Sequence, residues 1–209
     1  MLELFFSAFV TFFVVVDPPG CAPIYAGLTR EASRKQTVSM AVRATIISGL
    51  ILLVFGLFGE QLLAALGIEL DSFRIAGGIM LFMIAIDMVF EKRTERREER
   101  AEKINANPEI DDVSVFPMAM PMMAGPGAIA AIMLLMNQAN GIEESATVFA
   151  AAGLVLLLTM VSLIAARPLM NLLGTKVEAA ITRLLGVLLA ALASQFVIDG
   201  VRGTLIAQI

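Results

Sequence analysis

Two short stretches combine proline and glycine with runs of apolar residues: "VVVDPPGCAPIY" at 14–25 and "PMMAGPGAIAAI" at 121–132. Proline has no N–H group and disfavours helical backbone at the residue before it, so each stretch predicts a break in a helix. A break leaves carbonyl groups without donors on one side and N–H groups without acceptors on the other. These groups, together with the Asp17 carboxyl, are suited to binding a small polar ligand.

Asp17 is the one acidic residue that falls near the middle of an apolar stretch, where ionisable groups usually serve a function. An Asp directly before proline is also typical of a helix N-cap. Two interpretations stay open: Asp17 caps a second half-helix, or it holds a substrate amine or couples proton movement. In the second stretch, Gly125 and Pro126 can play the corresponding parts, and Pro121 is predicted to end the half-helix before them.

The predicted breaks also free main-chain groups for a ligand. Glycine at positions 20, 125 and 127 lets a ligand approach the backbone closely. The groups expected to lose partners are the carbonyls of 14–16 and 118–120 and the amides of Gly20, Cys21, Gly127 and Ala128. Each unsatisfied group costs several kcal/mol in lipid, so such backbone is expected to line a protected site. The alternative is a pair of proline kinks repaired by neighbouring helices.

The composition describes a chain that lies in a membrane. Of 209 residues, 58% are hydrophobic and only 16% are charged, whereas soluble domains carry about 25% charged residues. The net charge of −4 gives no electrostatic reason to expect nucleic-acid binding. Histidine is absent, which excludes Ser-His triads and His-ligated zinc, and the single cysteine excludes an intrachain disulfide. We expect an all-α polytopic membrane protein that has no cofactor and is not an enzyme.

Hydropathy predicts six membrane-spanning helices, since each needs about 20 mainly apolar residues. They cover 4–26, 39–59, 73–90, 113–137, 147–166 and 181–201. With both termini outside the cell, thirteen of the 15 Lys and Arg residues fall on the cytoplasmic side, and only Arg74 and Arg202 lie outside. The charged segment 91–112 is then a cytoplasmic loop, and the connection between the fifth and sixth spans places Arg167, Lys176 and Arg183 on the same side. The membrane is expected to be the cell inner (plasma) membrane.

Similar segments in the two halves predict an internal repeat. The pairs are Pro19-Gly20 with Pro126-Gly127 and Gly67 of "LLAALG" with Gly174 of "PLMNLLG", each 107 residues apart, and "RIAGG" at 74–78 with "RLLGV" at 183–187, 109 apart. Glycine and leucine are common in membrane helices, so each match alone is weak. Their shared order and nearly constant offset favour a duplication.

The predicted organisation follows from the number of spans in each half. Residues 1–90 form a first three-helix repeat, 91–112 the charged cytoplasmic loop, and 113–209 a second three-helix repeat. Because three is odd, the two halves must lie in opposite orientations across the membrane. Inverted repeats are typical of secondary transporters, whose site lies at the repeat interface near the membrane midplane.

Several of these segments together resemble the MarC-related family of integral membrane proteins, which includes SnatA-type neutral amino-acid transporters. They are "DPPGCAPIY" followed by "GLT", "PMMAGPGAIAAIM", "RIAGG" and "SQFVIDGV". The resemblance implies two inverted three-helix repeats with discontinuous first and fourth helices, and small neutral amino acids such as glycine and alanine as substrates. The implied substrate site comprises Asp17, Pro19, Gly20, Cys21 and Pro23 from the first span and Gly125, Pro126, Gly127 and Ala128 from the fourth. Many relatives have Asn at the position of Cys21.

We therefore expect a secondary transporter that moves small neutral amino acids by alternating access, with Asp17 as the candidate for proton coupling. A channel or passive exporter is one alternative, and it would conduct without saturation by substrate. A non-transporting membrane protein whose 91–112 loop recruits another protein is a second alternative. An enzyme is the least favoured class, because the spans contain no acidic metal-binding cluster and no visible nucleophile-base pair.

Overall fold

The computed structural model describes residues 1–90 and 112–206, apart from the side chains of 170–176, 178 and 206. Its helices are α1 (Leu2–Val16), α2 (Pro18–Leu28), α3 (Arg34–Ala65), α4 (Leu70–Val89), the π-helical segment π1 (Ser114–Met123), α5 (Pro126–Gln138), α6 (Ile142–Ile164) and α7 (Ala166–Ile206). All secondary structure in this described part is helical, which confirms the all-α prediction. Most of the predicted loop 91–112 lies outside the described residues.

The helices account for the predicted membrane spans. Five stretches are long and apolar enough to cross a membrane, and α1 and α2 together form the first of them. A sixth is obtained if π1 and α5, which meet at a bend of 52°, count as one span. Many large apolar side chains are exposed on the outside of the bundle, Phe58, Met83 and Leu184 among them. In water such a surface would be unfavourable, whereas in lipid it is the expected one.

The connection between the fifth and sixth predicted spans is itself helical, because α7 begins directly after Ala165 and continues as one helix of 41 residues. Pro168 is compatible with this course, since it falls in the first turn, where a missing N–H group costs no hydrogen bond. Hydropathy identifies the apolar part of a helix and not its ends. The apolar window of this helix begins at Ala179, close to the predicted start of the sixth span.

Helix α3 is longer than the membrane requires. Ser33 and Gln36 form a capping box at its start, in which each residue bonds the other's main-chain N–H group. Its 32 residues extend about 48 Å at 1.5 Å per residue. The hydrocarbon layer is about 30 Å thick, so α3 is longer than an untilted membrane span.

The broken spans lie among the continuous helices. Helices α1 and α2 pack on α6, and α2 also packs on α7; π1 and α5 pack on α3. Helices α4 and α7 pack against each other along their length through glycine. A Cβ atom at Gly78 would lie 2.7 Å from Val197 Cγ2, and one at Gly186 would lie 2.9 Å from Met88 Cβ. The glycines of "RIAGG" and "RLLGV" therefore allow close packing of these two helices.

Candidate functional site

The first break lies at Asp17, between α1 and α2. Asp17 has φ 59 and ψ 67, a left-handed conformation that Asp tolerates better than most residues. Its Oδ1 accepts a hydrogen bond of 3.1 Å from the Gly20 amide, and Pro18 is the first residue of α2. The residue is 1% exposed. The geometry confirms the N-cap interpretation, in which Asp17 ends one helix and starts the next.

The missing side chain of Gly20 makes room for the Asp17 carboxyl. A Cβ atom at this position would lie 2.2 Å from Asp17 Oδ2 and 2.7 Å from its Cγ. The space left by the missing side chain is thus filled by the Asp17 carboxyl, so the glycine accommodates the cap and does not open the backbone directly to a ligand. The group that approaches this glycine closely in the structure is therefore the Asp17 carboxyl.

The end of α1 keeps part of its hydrogen bonding. The Asp17 amide bonds to the Phe13 carbonyl at 3.0 Å, and the Cys21 thiol donates to the Val16 carbonyl at 3.4 Å. Because Pro18 has no N–H group, the Val14 carbonyl loses the donor that a continuous helix would supply. The predicted loss of partners over 14–16 therefore holds at Val14, whereas the thiol supplies a donor at Val16.

The remaining first-span candidates belong to α2. Pro19 and Pro23 are half-buried, and Pro23 lies inside the helix. Since Pro23 cannot donate to the residue four positions earlier, the Pro19 carbonyl also lacks its usual helical donor. Cys21 is fully buried at the start of this helix. The structure therefore gathers all five first-span candidates within the first six residues of α2 and its cap.

On its first side the second break begins within π1. As predicted, helical backbone is interrupted directly before Pro121, and π1 then continues to Met123. Phe116 (φ −125, ψ 126) and Met120 (φ −130, ψ 123) have extended backbone, and each directly precedes a proline, which disfavours helical geometry. Wide turns bridge these interruptions, as in the 2.8 Å bond from the Ala124 amide to the Ala119 carbonyl.

On its second side the break follows the prediction. Gly125 is the extended N-cap of α5 (φ −79, ψ 176), and Pro126 is the first helical residue. A Cβ atom at Gly125 would lie 2.1 Å from the Pro121 carbonyl oxygen, so only glycine fits this close approach. Within the described part of the chain, no side chain caps this terminus. The first-turn amides at Gly127 and Ala128, both buried, are therefore suited to an anionic group.

The two breaks lie side by side. A Cβ atom at Gly127 would lie 3.2 Å from Val15 Cγ1, 2.7 Å from Ile84 Cδ1 and 3.4 Å from Leu81 Cδ2. The first turn of α5 thus rests against the last turn of α1 and the middle of α4. Residues 112 positions apart in the chain, Val15 and Gly127, are brought into contact beside both breaks. Of the candidates, only Pro126 is exposed.

Charged contacts at one end of the bundle escaped the sequence interpretation. Arg167 Nη2 donates to the carbonyls of Thr29 (2.6 Å), Arg30 (3.2 Å) and Ala32 (3.2 Å), where α2 ends. Arg43 pairs with Asp112 at the same end. Burial opposes ionisation of Asp112, but hydrogen bonds from Ser114 and the charge of Arg43 outweigh it and hold the Asp112 pKa below its usual value.

At the opposite end, Arg74 joins α4 to α5. Its Nη1 bonds to Asp71 Oδ1 at 2.8 Å, and its Nη2 bonds to Asn137 Oδ1 at 2.7 Å. The sequence offered a signal only for the pair with Asp71, which is three residues away. The contacts of Arg167 and Asn137 join residues 63 to 138 positions apart, for which local spacing carries no information.

Metal binding is not indicated in the described ranges. Among residues 1–90 and 112–206, no three Cys, Asp or Glu side chains gather closely enough to hold a metal ion. The groups that meet at the breaks are main-chain amides and carbonyls, one carboxyl and one thiol. This set can hold a small polar molecule by hydrogen bonds.

The chain is similar to known membrane proteins over almost its whole length. The profile described as MarC family integral membrane protein matches residues 2–205. A UPF0056 membrane protein of Methanocaldococcus jannaschii is 38% identical, covering 98% of this chain and 99% of the relative. The inner membrane protein YhgN of Escherichia coli K12 is 33% identical, covering 94% and 95%. No solved structure matches the chain. The chain belongs to the MarC family of multi-pass integral membrane proteins.

Proposed function

We propose that the protein is a secondary transporter of small neutral amino acids, such as glycine and alanine, and that it works by alternating access. The observation that carries the proposal is the contact between the last turn of α1 and the first turn of α5, at Val15 and Gly127. A helix C-terminus and a helix N-terminus there present opposite partial charges to one small volume. A zwitterion has the matching pair of charges.

Each end of the zwitterion has partners in this arrangement. Its carboxylate is bound by the first-turn amides of α5, at Gly127 and Ala128. Its ammonium group is bound by the Val14 carbonyl and by Asp17, which caps α2. Leu81 and Ile84 of α4 crowd the same place, within 3.4 Å of a Cβ atom at Gly127. The surroundings therefore favour a small side chain, as in glycine or alanine.

An inverted repeat is part of the proposal, and the packing of α4 on α7 supports it. Gly78 and Gly186 each approach a carbonyl oxygen and a valine methyl of the other helix. The contacts are Gly78 with Ala193 and Val197, and Gly186 with Ala85 and Val89. All three correspondences have one offset, since 186 − 78, 193 − 85 and 197 − 89 each equal 108. A two-fold axis in the membrane plane produces this reciprocity.

The same axis relates the other contacts. The first span packs on α6, and the fourth span, made of π1 and α5, packs on α3. We assign 1–90 and 113–209 to the two repeats and place both termini outside the cell. The 91–112 loop is then cytoplasmic in the inner (plasma) membrane, in keeping with the distribution of Lys and Arg. Rocking of one repeat against the other would expose the breaks to each side in turn.

Replacement of Gly127 by Val tests the proposed function. The added methyl groups would displace Val15 and Ile84, which lie within 3.2 Å of the position of the Cβ atom. We expect purified wild-type protein in proteoliposomes to take up labelled glycine with saturation, and the Gly127→Val variant to show at least a tenfold lower initial rate, as about 1.4 kcal/mol of lost binding would produce.

Gly153→Val is the matched control, because no atom lies within 4 Å of a Cβ atom at Gly153. Both variants are compared at equal incorporation and equal monodispersity. Equal glycine uptake by Gly127→Val and wild type would remove the fourth-span break from the site. A wild-type protein that conducts ions without saturation by glycine or alanine would instead identify a channel.

Substitution of Asp17 separates its capping role from proton coupling. Asn is as good an N-cap as Asp and tolerates left-handed backbone. The free energy of unfolding of Asp17→Asn is therefore expected to lie within about 0.5 kcal/mol of the wild-type value. If Asp17 couples proton movement, this variant loses glycine accumulation driven by a pH gradient but retains glycine exchange. Asp17→Ala should lose about 1–2 kcal/mol of stability with the cap. If Asp17→Asn accumulates glycine in a pH gradient as well as wild type does, Asp17 serves only as the N-cap and does not couple proton movement.

A further inference from the structure

A cavity of about 200 Å³ lies at the end of the bundle opposite the 91–112 loop. It is enclosed by α3, α5 and the first turns of α4 and α6. Among the residues that line it are Glu60, Leu63, Leu70, Met133, Asn137 and Ser145. Leu70 is the first residue of α4, and Asn137 is the last but one of α5, so the cavity lies where these helices end. In the proposed orientation it opens on the outer side.

The position of Glu60 favours contact with water. Glu60 lies five residues before the end of α3 and is exposed. Because α3 is longer than an untilted span, its last turns can extend beyond the hydrocarbon layer, where the exposed carboxylate would be available to a cation. Met133 lines the cavity six residues after Gly127 on α5, which corresponds to about 9 Å along the helix. The cavity is therefore a short distance outward from the breaks.

The polar groups of the cavity have complementary functions. Arg74 Nη2 holds Asn137 Oδ1 at 2.7 Å, which leaves the Asn137 Nδ2 group as the donor. Ser145 Oγ donates to the Gly141 carbonyl at 2.9 Å, so its oxygen remains as an acceptor beside the Glu60 carboxylate. Donor and acceptors thus line the same small space, with methionine and leucine side chains as its apolar walls.

Arg74 supplies a second, independent observation. Its Nε atom is buried and makes no hydrogen bond within the described residues. A buried donor without an acceptor costs about 1–3 kcal/mol. The guanidinium group bonds both Asp71 and Asn137, so it pairs with the Asp71 carboxylate and holds the Asn137 side chain at the cavity wall. The Asn137 Nδ2 group, fixed in this way, is placed to donate to an anionic ligand group.

We propose that this cavity is an outer vestibule that binds a small zwitterion before it reaches the breaks. Glu60 and Ser145 bind the ammonium group, and Asn137, held by Arg74, binds the carboxylate. The volume suits an amino acid of the size of glycine or alanine. The choice of ligand rests on the proposed function, whereas the presence of a second binding site does not.

Glycine binding to purified protein tests the vestibule. Calorimetry is done in detergent that contains no ethanolamine lipid, so that a lipid headgroup does not occupy the cavity. We expect wild type to bind glycine at two sites and Gly127→Val to keep one of them. Glu60→Gln, added to Gly127→Val, should weaken this remaining binding at least tenfold. Glu143→Gln is the matched control, since Glu143 is exposed at the same end and does not line the cavity.

The outcomes distinguish failure of the vestibule from failure of the proposed transport function. If Gly127→Val binds no glycine while wild type does, the vestibule is wrong and the proposed function stands. If its remaining binding is insensitive to Glu60→Gln, or equally sensitive to Glu143→Gln, the assignment of Glu60 is wrong. If Glu60-dependent binding occurs in a wild-type protein that does not transport, the vestibule stands and the proposed function fails. No glycine binding by either protein overturns both proposals.

Discussion

Gly20→Ala is expected to lower glycine uptake about 100-fold, the scale of loss that a misplacement of about 1 Å causes at enzyme sites. The new Cβ atom would lie 2.2 Å from Asp17 Oδ2 and 2.9 Å from Oδ1, so the carboxyl must leave its position. It then loses the 3.1 Å bond from the Gly20 amide. Loss of an N-cap costs about 0.5–2 kcal/mol, so the protein should still fold with a lower Tm.

The effect on transport should exceed the effect on stability, because Asp17 is 1% exposed and lies at the first break. A carboxyl that leaves its cap position is no longer placed to bind the ammonium group of the substrate in the proposed site. Initial rates of glycine uptake in proteoliposomes, at matched protein incorporation, measure the first effect. The midpoint of thermal unfolding measures the second.

Gly27→Ala is a control in the same helix. No atom lies within 4 Å of a Cβ atom at Gly27, and Ala stabilises a helix interior by about 1 kcal/mol relative to Gly. Its uptake should equal that of wild type, and its Tm should be equal or higher. If Gly20→Ala transports as well as Gly27→Ala does, the Asp17 cap has no part in transport.

The break positions could be predicted because proline acts on its immediate neighbours. The missing N–H group of Pro18 and the capping preference of Asp17 are properties of a few consecutive residues, so the end of α1 and the start of α2 follow from the local sequence. Gly125 and Pro126 follow in the same way. The capping box of α3 belongs to the same class of local signals.

The features that sequence reasoning missed depend on the path of the whole chain. Pro121 interrupts helical backbone as predicted, but the wide main-chain bonds that span the interruption and carry π1 on to Met123 carry no signal in the local sequence. Pro168 resembles a helix breaker but lies in a first turn. The space at Gly20 is filled by Asp17, which a count of glycines does not reveal.

The proposed repeat illustrates how packing can refine a sequence comparison. Alignment of the arginines in "RIAGG" and "RLLGV" relates Arg74 to Arg183 at an offset of 109. The reciprocal contacts of Gly78 and Gly186 instead give 108, one residue less. Close helix packing depends on the position of the residue without a side chain, whereas the long side chain of arginine does not fix the register of two helices. Glycine contacts are therefore the better guide to equivalent positions in the two halves.

Arg167→Ala is expected to open the cytoplasmic side of the site. Arg167 holds the carbonyls of Thr29, Arg30 and Ala32, and it thereby fastens the end of α2 to the start of α7. Its charge also stabilises a helix C-terminus. Hydrogen bonds from a charged group contribute about 1.5–3 kcal/mol, so their loss should raise the population with α2 detached by about 10- to 100-fold.

The only cysteine of the chain reports this opening. Cys21 lies at the other end of α2, is fully buried, and donates to the Val16 carbonyl across the first break. A membrane-impermeant maleimide should therefore label wild type slowly from either side. In inside-out vesicles, Arg167→Ala should raise the labelling rate at least tenfold, and right-side-out vesicles should show no such rise. The measurement needs no substrate, so it tests the release of α2 independently of the amino acid transported.

Arg202→Ala removes the same charge from the same helix at its opposite end and should leave labelling unchanged. If both variants raise the labelling rate equally, loss of helix stability and not release of α2 is the cause. A rate in Arg167→Ala equal to that of wild type would mean that the contacts of α2 with α6 and α7 hold it closed without the arginine. Labelling only from the outer side would reverse the proposed orientation, because Arg167 would then hold the outer end of the first span.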